Sequence, residues 1–137
     1  MAKYPITHYF IAADFGRDRD HSAFATLALR REDAGPFDHA KLVQPTRPIL
    51  ELGGLHRIPL GTEYLEVVKR LRQIITRRQT AAGWGAPPVR VYVVVDAAGP
   101  GQVAIELIRA QKLNIWFTPV IMTAAGECGY SASGKLT

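Results

Sequence analysis

Cysteine is almost missing from this chain. Cys128 is the single one in 137 residues, which excludes an internal disulfide and any cysteine-rich metal cluster. Long hydrophobic runs are missing as well: Lys, Arg, Pro or Gly interrupts every apolar stretch short of the ~20 residues that a membrane span requires. The opening Met1-Ala2-Lys3-Tyr4-Pro5 is followed by strand-like residues and then acids, without a cleavage site, so no signal peptide is expected. No internal repeat or low-complexity block interrupts the chain. Three of the four histidines, His8, His39 and His56, share no ligand spacing, which leaves a histidine-based zinc site unsupported. Acids are the minority charge, 12 against 17 Lys and Arg, for a net charge of +5. That balance permits a polyanionic partner without establishing one. What remains is a chain 47% hydrophobic and 21% charged, enough to bury a core, at a length typical of one domain. The expectation is one soluble, cytoplasmic domain.

The pattern alternates between strand and helix signals. Tyr9-Phe10-Ile11-Ala12-Ala13 is a short unbroken apolar run ending at Asp14, which predicts a strand covered on both faces. A polar loop from Phe15 to His21 follows. Ala23, Ala25, Leu27 and Leu29 then fall on one side of a period-two segment, opposite Phe24, Thr26 and Ala28. After a turn at Glu32-Asp33-Ala34-Gly35-Pro36, residues Ala40 to Leu52 read as extended chain, pushed to a sheet edge or split by Pro45 and Pro48. A helix is predicted from Thr62 to Arg78, capped by Thr62, with Tyr64, Val67, Val68, Leu71, Ile74 and Ile75 at i, i+3, i+4 spacing. Val91-Tyr92-Val93-Val94-Val95 is again a buried strand, and it too ends in an acid, Asp96. A second helix follows, with Pro100 at its first position and Val103, Ala104, Leu107 and Ile108 on one face. A last strand spans Ile115 to Met122. The order strand, strand, strand, helix, strand, helix, strand predicts an α/β fold. Its mixed sheet is an antiparallel meander followed by parallel strands with right-handed crossovers.

Asp14 and Asp96 carry the chemical signal. If their strands are parallel neighbours, both carboxylates project from one sheet edge, about 4.8 Å apart in backbone spacing. Mg²⁺ takes carboxylate oxygens at about 2.1 Å, so one cation can be shared between them. Two-metal phosphodiester cleavage uses such a layout. The bland alternative is a pair of turn aspartates without chemistry.

At these residues the chain resembles a known family. The stretch Tyr9 to Ala23, with Asp14 closing a strand and Asp20-His21-Ser22-Ala23 closing the loop, is similar to the opening motif of the nuclease domain of phage terminase large subunits. Pro59-Leu60-Gly61-Thr62-Glu63-Tyr64 resembles the entry to that domain's first helix. Val95-Asp96-Ala97-Ala98-Gly99-Pro100-Gly101 resembles its second acidic motif, and Pro119-Val120-Ile121-Met122-Thr123 the strand after it. The resemblance covers most of residues 8–126.

It implies an RNase H-like five-stranded sheet with flanking helices over residues 1–123, and a Gly/Ala/Ser-rich tail over 124–137. It implies catalytic acids Asp14 and Asp96, with Asp14, Asp96 and Asp20 toward Mg²⁺ or Mn²⁺, and double-stranded DNA as substrate. Other terminase or portal components become expected partners, and the cytoplasm of a bacterial host, in a phage or prophage context, the expected location. Arg17 and Arg19 are the candidate phosphate contacts. The family pattern also requires a third carboxylate on a later helix. After Asp96 only Glu106 and Glu127 remain, and neither matches that position. The expectation is therefore a nuclease-type domain ending before that helix, without the ATPase domain and inactive alone.

Two alternatives stay open. One is a non-catalytic prophage remnant. The other is a nucleotide-binding domain of the actin and sugar-kinase type, suggested by Asp14-Phe15-Gly16 and a later acidic glycine turn. Lesser signals carry less. Gly129 to Leu136 nearly spells a P-loop, but Ser or Thr is missing after Lys135. Gly99-Pro100-Gly101 reads as a tight turn rather than a dinucleotide site. The basic run Lys69, Arg70, Arg72, Arg77 and Arg78 reads as a solvated helix face. Trp84 and Trp116 read as packing residues, and Cys128 as incidental.

Overall fold

The structure, a computed structural model, describes residues 3–16, 19–81 and 85–121. Its elements in chain order are β1 (His8–Asp14), β2 (Ala23–Asp33), β3 (Thr46–Arg57), α1 (Tyr64–Thr80), β4 (Arg90–Asp96), α2 (Gly101–Ala110) and β5 (Trp116–Val120). The five strands form one sheet in the order β3-β2-β1-β4-β5. β1 pairs antiparallel with β2, and β2 with β3; β1 pairs parallel with β4, and β4 with β5. This is the mixed α/β sheet, a meander followed by parallel additions, that the sequence pattern predicts.

Alternation along the strands sorts the sheet into two unlike faces. Tyr9, Ile11 and Ala13 of β1, Phe24, Thr26 and Ala28 of β2, Val91, Val93 and Val95 of β4, and Phe117 of β5 are all buried. The register places these residues in rows on one face. Both helices lie on that face. α1 buries Val67, Val68, Leu71, Ile74 and Ile75, the stripe its periodicity predicts. α2 buries Gly101, Ala104, Ile105 and Ile108. This corrects the expected face: Val103 is exposed, and Ile105 takes its place in the core, because the close seating of Gly101 against β4 sets the helix rotation.

The other face is open among the described residues, which corrects the expectation that β1 and β4 are covered on both sides. Its middle row runs Leu52, Leu27, Phe10, Tyr92, Trp116 across all five strands. The aromatic rings there stack on one another, Phe10 on Tyr92 at 5.2 Å and Tyr92 on Trp116 at 6.0 Å. Mutual stacking hides part of their surface without a covering layer, so an unbroken apolar run does not by itself report two-sided burial.

Three local expectations also change. Thr62 does not cap α1: its hydroxyl donates to the Pro59 carbonyl at 2.6 Å, and the helix begins two residues later with Glu63 at the cap position and no side-chain cap bond. Pro100 occupies the cap of α2 rather than its first turn. β3 begins at Thr46, not Ala40, because residues 38–43 close their own turn through an Asp38–Val43 bridge. β3 then runs past Leu52 to Arg57, through Gly53 and Gly54, with a bulge opposite Thr26 and Leu27. As expected from Pro45 and Pro48, it is an edge strand. The tail from residue 124, the near-P-loop, Trp84 and Cys128 lie outside the described residues.

Candidate functional site

The parallel register pairs Ala13 with Val95, so the next residues, Asp14 and Asp96, are neighbours at the carboxyl ends of β1 and β4. Both side chains fall on the helix-free face of the sheet, by alternation from Val95 and Ala13. The same row continues through Ala23, the partner of Asp14 on β2, to Arg57, the partner of Ala23 on β3. One rung across four strands thus reads Asp96, Asp14, Ala23, Arg57.

Each acid is followed by a loop that only glycine permits. After Asp14, Phe15 is buried edge-on against Phe24, with ring centroids 6.1 Å apart. The chain then folds back so tightly that a Cβ on Gly16 would lie 2.1 Å from the Asp20 carbonyl oxygen. Buried Ser22 closes this loop. Its hydroxyl oxygen accepts from the Gly16 N–H at 3.1 Å, and its carbonyl accepts from the Ile58 N–H at 2.8 Å. The Ile58 carbonyl lies 2.9 Å from His21 Nδ1. A carbonyl can only accept, so Nδ1 is the donor of this bond.

After Asp96 the second loop is equally constrained. Asp96 Oδ1 accepts from the Ala98 N–H at 3.0 Å, an Asx turn. The Ala97 N–H donates to Val120 at 2.6 Å, extending the β4–β5 ladder by one bond. Gly99 has φ +53°, and Gly101 presses α2 against the Asp96 carbonyl. The turn bond engages one carboxylate oxygen of Asp96; the other has no partner among the described residues. Asp14 has no hydrogen-bond or ion-pair partner among the described residues.

Both loops open on one cleft of about 810 Å³, lined by Asp14, Asp20, Asp96, Arg19, His21 and Arg57 among others. Asp20 and Arg19, expected from the motif, are therefore in the same cleft as the two strand-end acids; Arg17 lies outside the described residues. Among the described residues no three or more His, Cys, Asp or Glu side chains converge closely enough to hold a metal ion. Asp14 and Asp96 thus stand as a pair, with Asp20 beside them in the cleft. Glu106 is away from it, exposed on α2 and paired with Arg109 at 3.5 Å. Glu127 is outside the described residues.

The basic face of α1 is partly structural. Arg78 donates to the Gly53 carbonyl at 3.2 Å and lies over the Tyr9 ring at 5.2 Å, while Arg72 bonds Gln111 at 3.1 Å. Arg57 is the cleft residue that sequence reasoning missed. With β3 expected to end at Leu52, nothing brought position 57 to the rung of Asp14.

No family model matches the chain, and no curated protein matches it either. Among the described residues no helix is long and apolar enough to cross a membrane.

Proposed function

We propose that this chain is an RNase H-like, divalent-metal-dependent nuclease domain of the phage terminase large-subunit type, acting on double-stranded DNA in a bacterial cytoplasm. One observation carries the reading: Asp14 and Asp96 lie in register at the carboxyl ends of adjacent parallel strands, on one face, above a shared cleft. The donor set fits the metal class. Hard carboxylate oxygens suit Mg²⁺ or Mn²⁺, and Mg²⁺ is commonly held by one or two carboxylates, with water and substrate phosphates filling the remaining positions.

Asp14 and the Asp96 oxygen not engaged by Ala98 would hold the cation. Such a metal supplies water activation and stabilises the leaving oxygen of a phosphodiester. The chain's own residues supply position. The two glycine-dependent loops fix the carboxylates at the sheet edge, and Arg19, with Arg17, offers charge to the DNA backbone. His21, tied through Nδ1 to the Ile58 carbonyl, is held at the cleft wall by that bond.

A second reading, a DNA-binding domain without cleavage, is favoured by the want of a third converging carboxylate among the described residues. Calorimetric titration with Mn²⁺ tests the metal assignment. Binding by the wild type that is lost in Asp14→Asn supports it, and undiminished binding in the variant overturns it. A supercoiled-plasmid nicking assay with Mn²⁺ then separates the readings, since cleavage favours the nuclease and metal binding without cleavage favours the second.

A further inference from the structure

We propose that Arg57 is a phosphate-binding residue of this cleft, holding a backbone phosphate that flanks the one over Asp14 and Asp96. The proposal rests on the nucleic-acid reading of the site and adds a residue that no motif marks. Most described arginines already have partners. Arg30, Arg47, Arg70 and Arg109 are ion-paired, and Arg31, Arg72 and Arg78 bond uncharged oxygens. Among the described residues the Arg57 guanidinium has neither a hydrogen bond nor a carboxylate oxygen within 4.0 Å, although it shares a cleft with Asp14, Asp20 and Asp96. A guanidinium presents five donors in a fork that matches phosphate, and it is always charged.

The rung supplies the spacing. Between Asp14 and Arg57 stands Ala23, whose methyl leaves the intervening surface low. Two strand spacings separate the backbones of Asp14 and Arg57, about 10 Å. An extended arginine side chain spans much of that distance, so its guanidinium can meet a phosphate beside the acids. The spacing suits a strand whose scissile group lies at the acids while a neighbouring phosphate reaches the arginine. Arg19, on the loop between β1 and β2, lines the same cleft and adds a second cation to it.

The test is fluorescence anisotropy of a labelled DNA duplex across salt concentrations, without divalent metal, on wild type, Arg57→Ala, Arg57→Gln and Arg57→Lys. One lost phosphate contact lowers the slope of log affinity against log salt by about 0.9, so the fall in affinity from 50 to 200 mM salt shrinks about threefold. That result in Arg57→Ala and Arg57→Gln, with the slope restored in Arg57→Lys, supports the proposal. An unchanged slope in the folded variants overturns it; a lowered melting temperature with an unchanged slope makes Arg57 a counter-charge to the acids and overturns it too. Wild type that does not bind DNA overturns this proposal and the nucleic-acid reading together. If Asp14→Asn loses Mn²⁺ while the Arg57 slope is unchanged, only the arginine fails. If Mn²⁺ binding is undiminished while the slope falls, the metal assignment fails and Arg57 stands.

Discussion

Gly101 approaches Asp96 so closely that a Cβ at position 101 would lie 1.6 Å from the Asp96 carbonyl oxygen. The start of α2 is therefore pressed onto the end of β4, and the acid and its helix are placed by one contact. Gly16 does the same for the other acid, folding the loop after Asp14 onto the backbone of Asp20.

Gly101→Ala and Gly16→Ala are accordingly expected to cost about 1–3 kcal/mol each, as over-packing against unyielding backbone does. Both variants should also weaken Mn²⁺ binding by moving a carboxylate. Gly99→Ala is the comparison: nothing lies within 4 Å of its Cβ position, and φ +53° is its sole penalty, about 1–2 kcal/mol. Thermal melts of the three, with Mn²⁺ titrations, check the ranking. If Gly101→Ala is no worse than Gly99→Ala, the contact does not position Asp96.

Asp14 and Asp96 make opposite demands on stability and binding. Asp14 has no partner among the described residues and faces a neighbouring acid across a strand pair, so Asp14→Asn relieves like-charge repulsion. A gain of up to about 1 kcal/mol is expected, together with loss of Mn²⁺ binding. Asp96 differs because Oδ1 holds the Ala98 N–H. Asp96→Asn keeps that bond and loses only charge, whereas Asp96→Ala loses the turn as well, about 1 kcal/mol more. Equal melting temperatures for the two Asp96 variants would show that the turn bond contributes nothing.

The sequence made the acid pair legible, but not the row they belong to. Short apolar runs ending in Asp14 and Asp96, with a helix between them, imply parallel strands and hence a shared edge. The α1 stripe was equally readable, since Val67 through Ile75 keep a helical period. Arg57 was hidden because Pro45, Pro48, Gly53 and Gly54 blur every strand signal in β3, whose pairing comes from β2 and not from its own propensity. The Thr62 cap failed for a related reason. A hydroxyl can cap a helix or close the turn before it, and only the folded chain shows that Pro59 takes the bond. The open face was misread because apolar residues that stack on one another resemble apolar residues under a second layer.

Acid should loosen the far end of the sheet before the site. Lys3 and Tyr4 hydrogen-bond Asp33 and hold its carboxyl below the ordinary range, and Arg30 does the same for Glu51. A carboxylate with a lowered folded pKa stabilises fully above its unfolded value and loses that contribution as pH falls through the folded one. The loss should therefore begin as pH drops below about 4. Hydrogen exchange near Asp33 and Thr46 should rise there in wild type, while Asp33→Asn should lack the Lys3–Tyr4 part of that dependence. Identical profiles would remove the clasp from the account.

Thr26 tests the core beside the site. It is fully buried on β2, and its hydroxyl has no hydrogen-bond partner among the described residues. Valine has nearly the same shape without the polar group, so Thr26→Val is expected to stabilise by about 1 kcal/mol. A destabilised variant in denaturant titration would mean that the hydroxyl is satisfied.

The two faces of the sheet make the last prediction. Leu52 and Leu55 are 59% and 71% exposed on the open face, whereas Ile11 and Val93 are fully buried under the helices. Leu52→Lys and Leu55→Lys should each stay within about 0.5 kcal/mol of wild type, as exposed substitutions do. Ile11→Ala should cost about 2–5 kcal/mol through lost burial and the cavity left behind. Removing exposed leucine should also lower any tendency to self-associate, because a wide apolar surface is an aggregation liability. Denaturant titration and light scattering on the same variants read both effects. A Leu55→Lys cost above 1 kcal/mol would show that this face is covered in the folded chain, and the unbroken apolar runs of β1 and β4 would then mean what they first suggested.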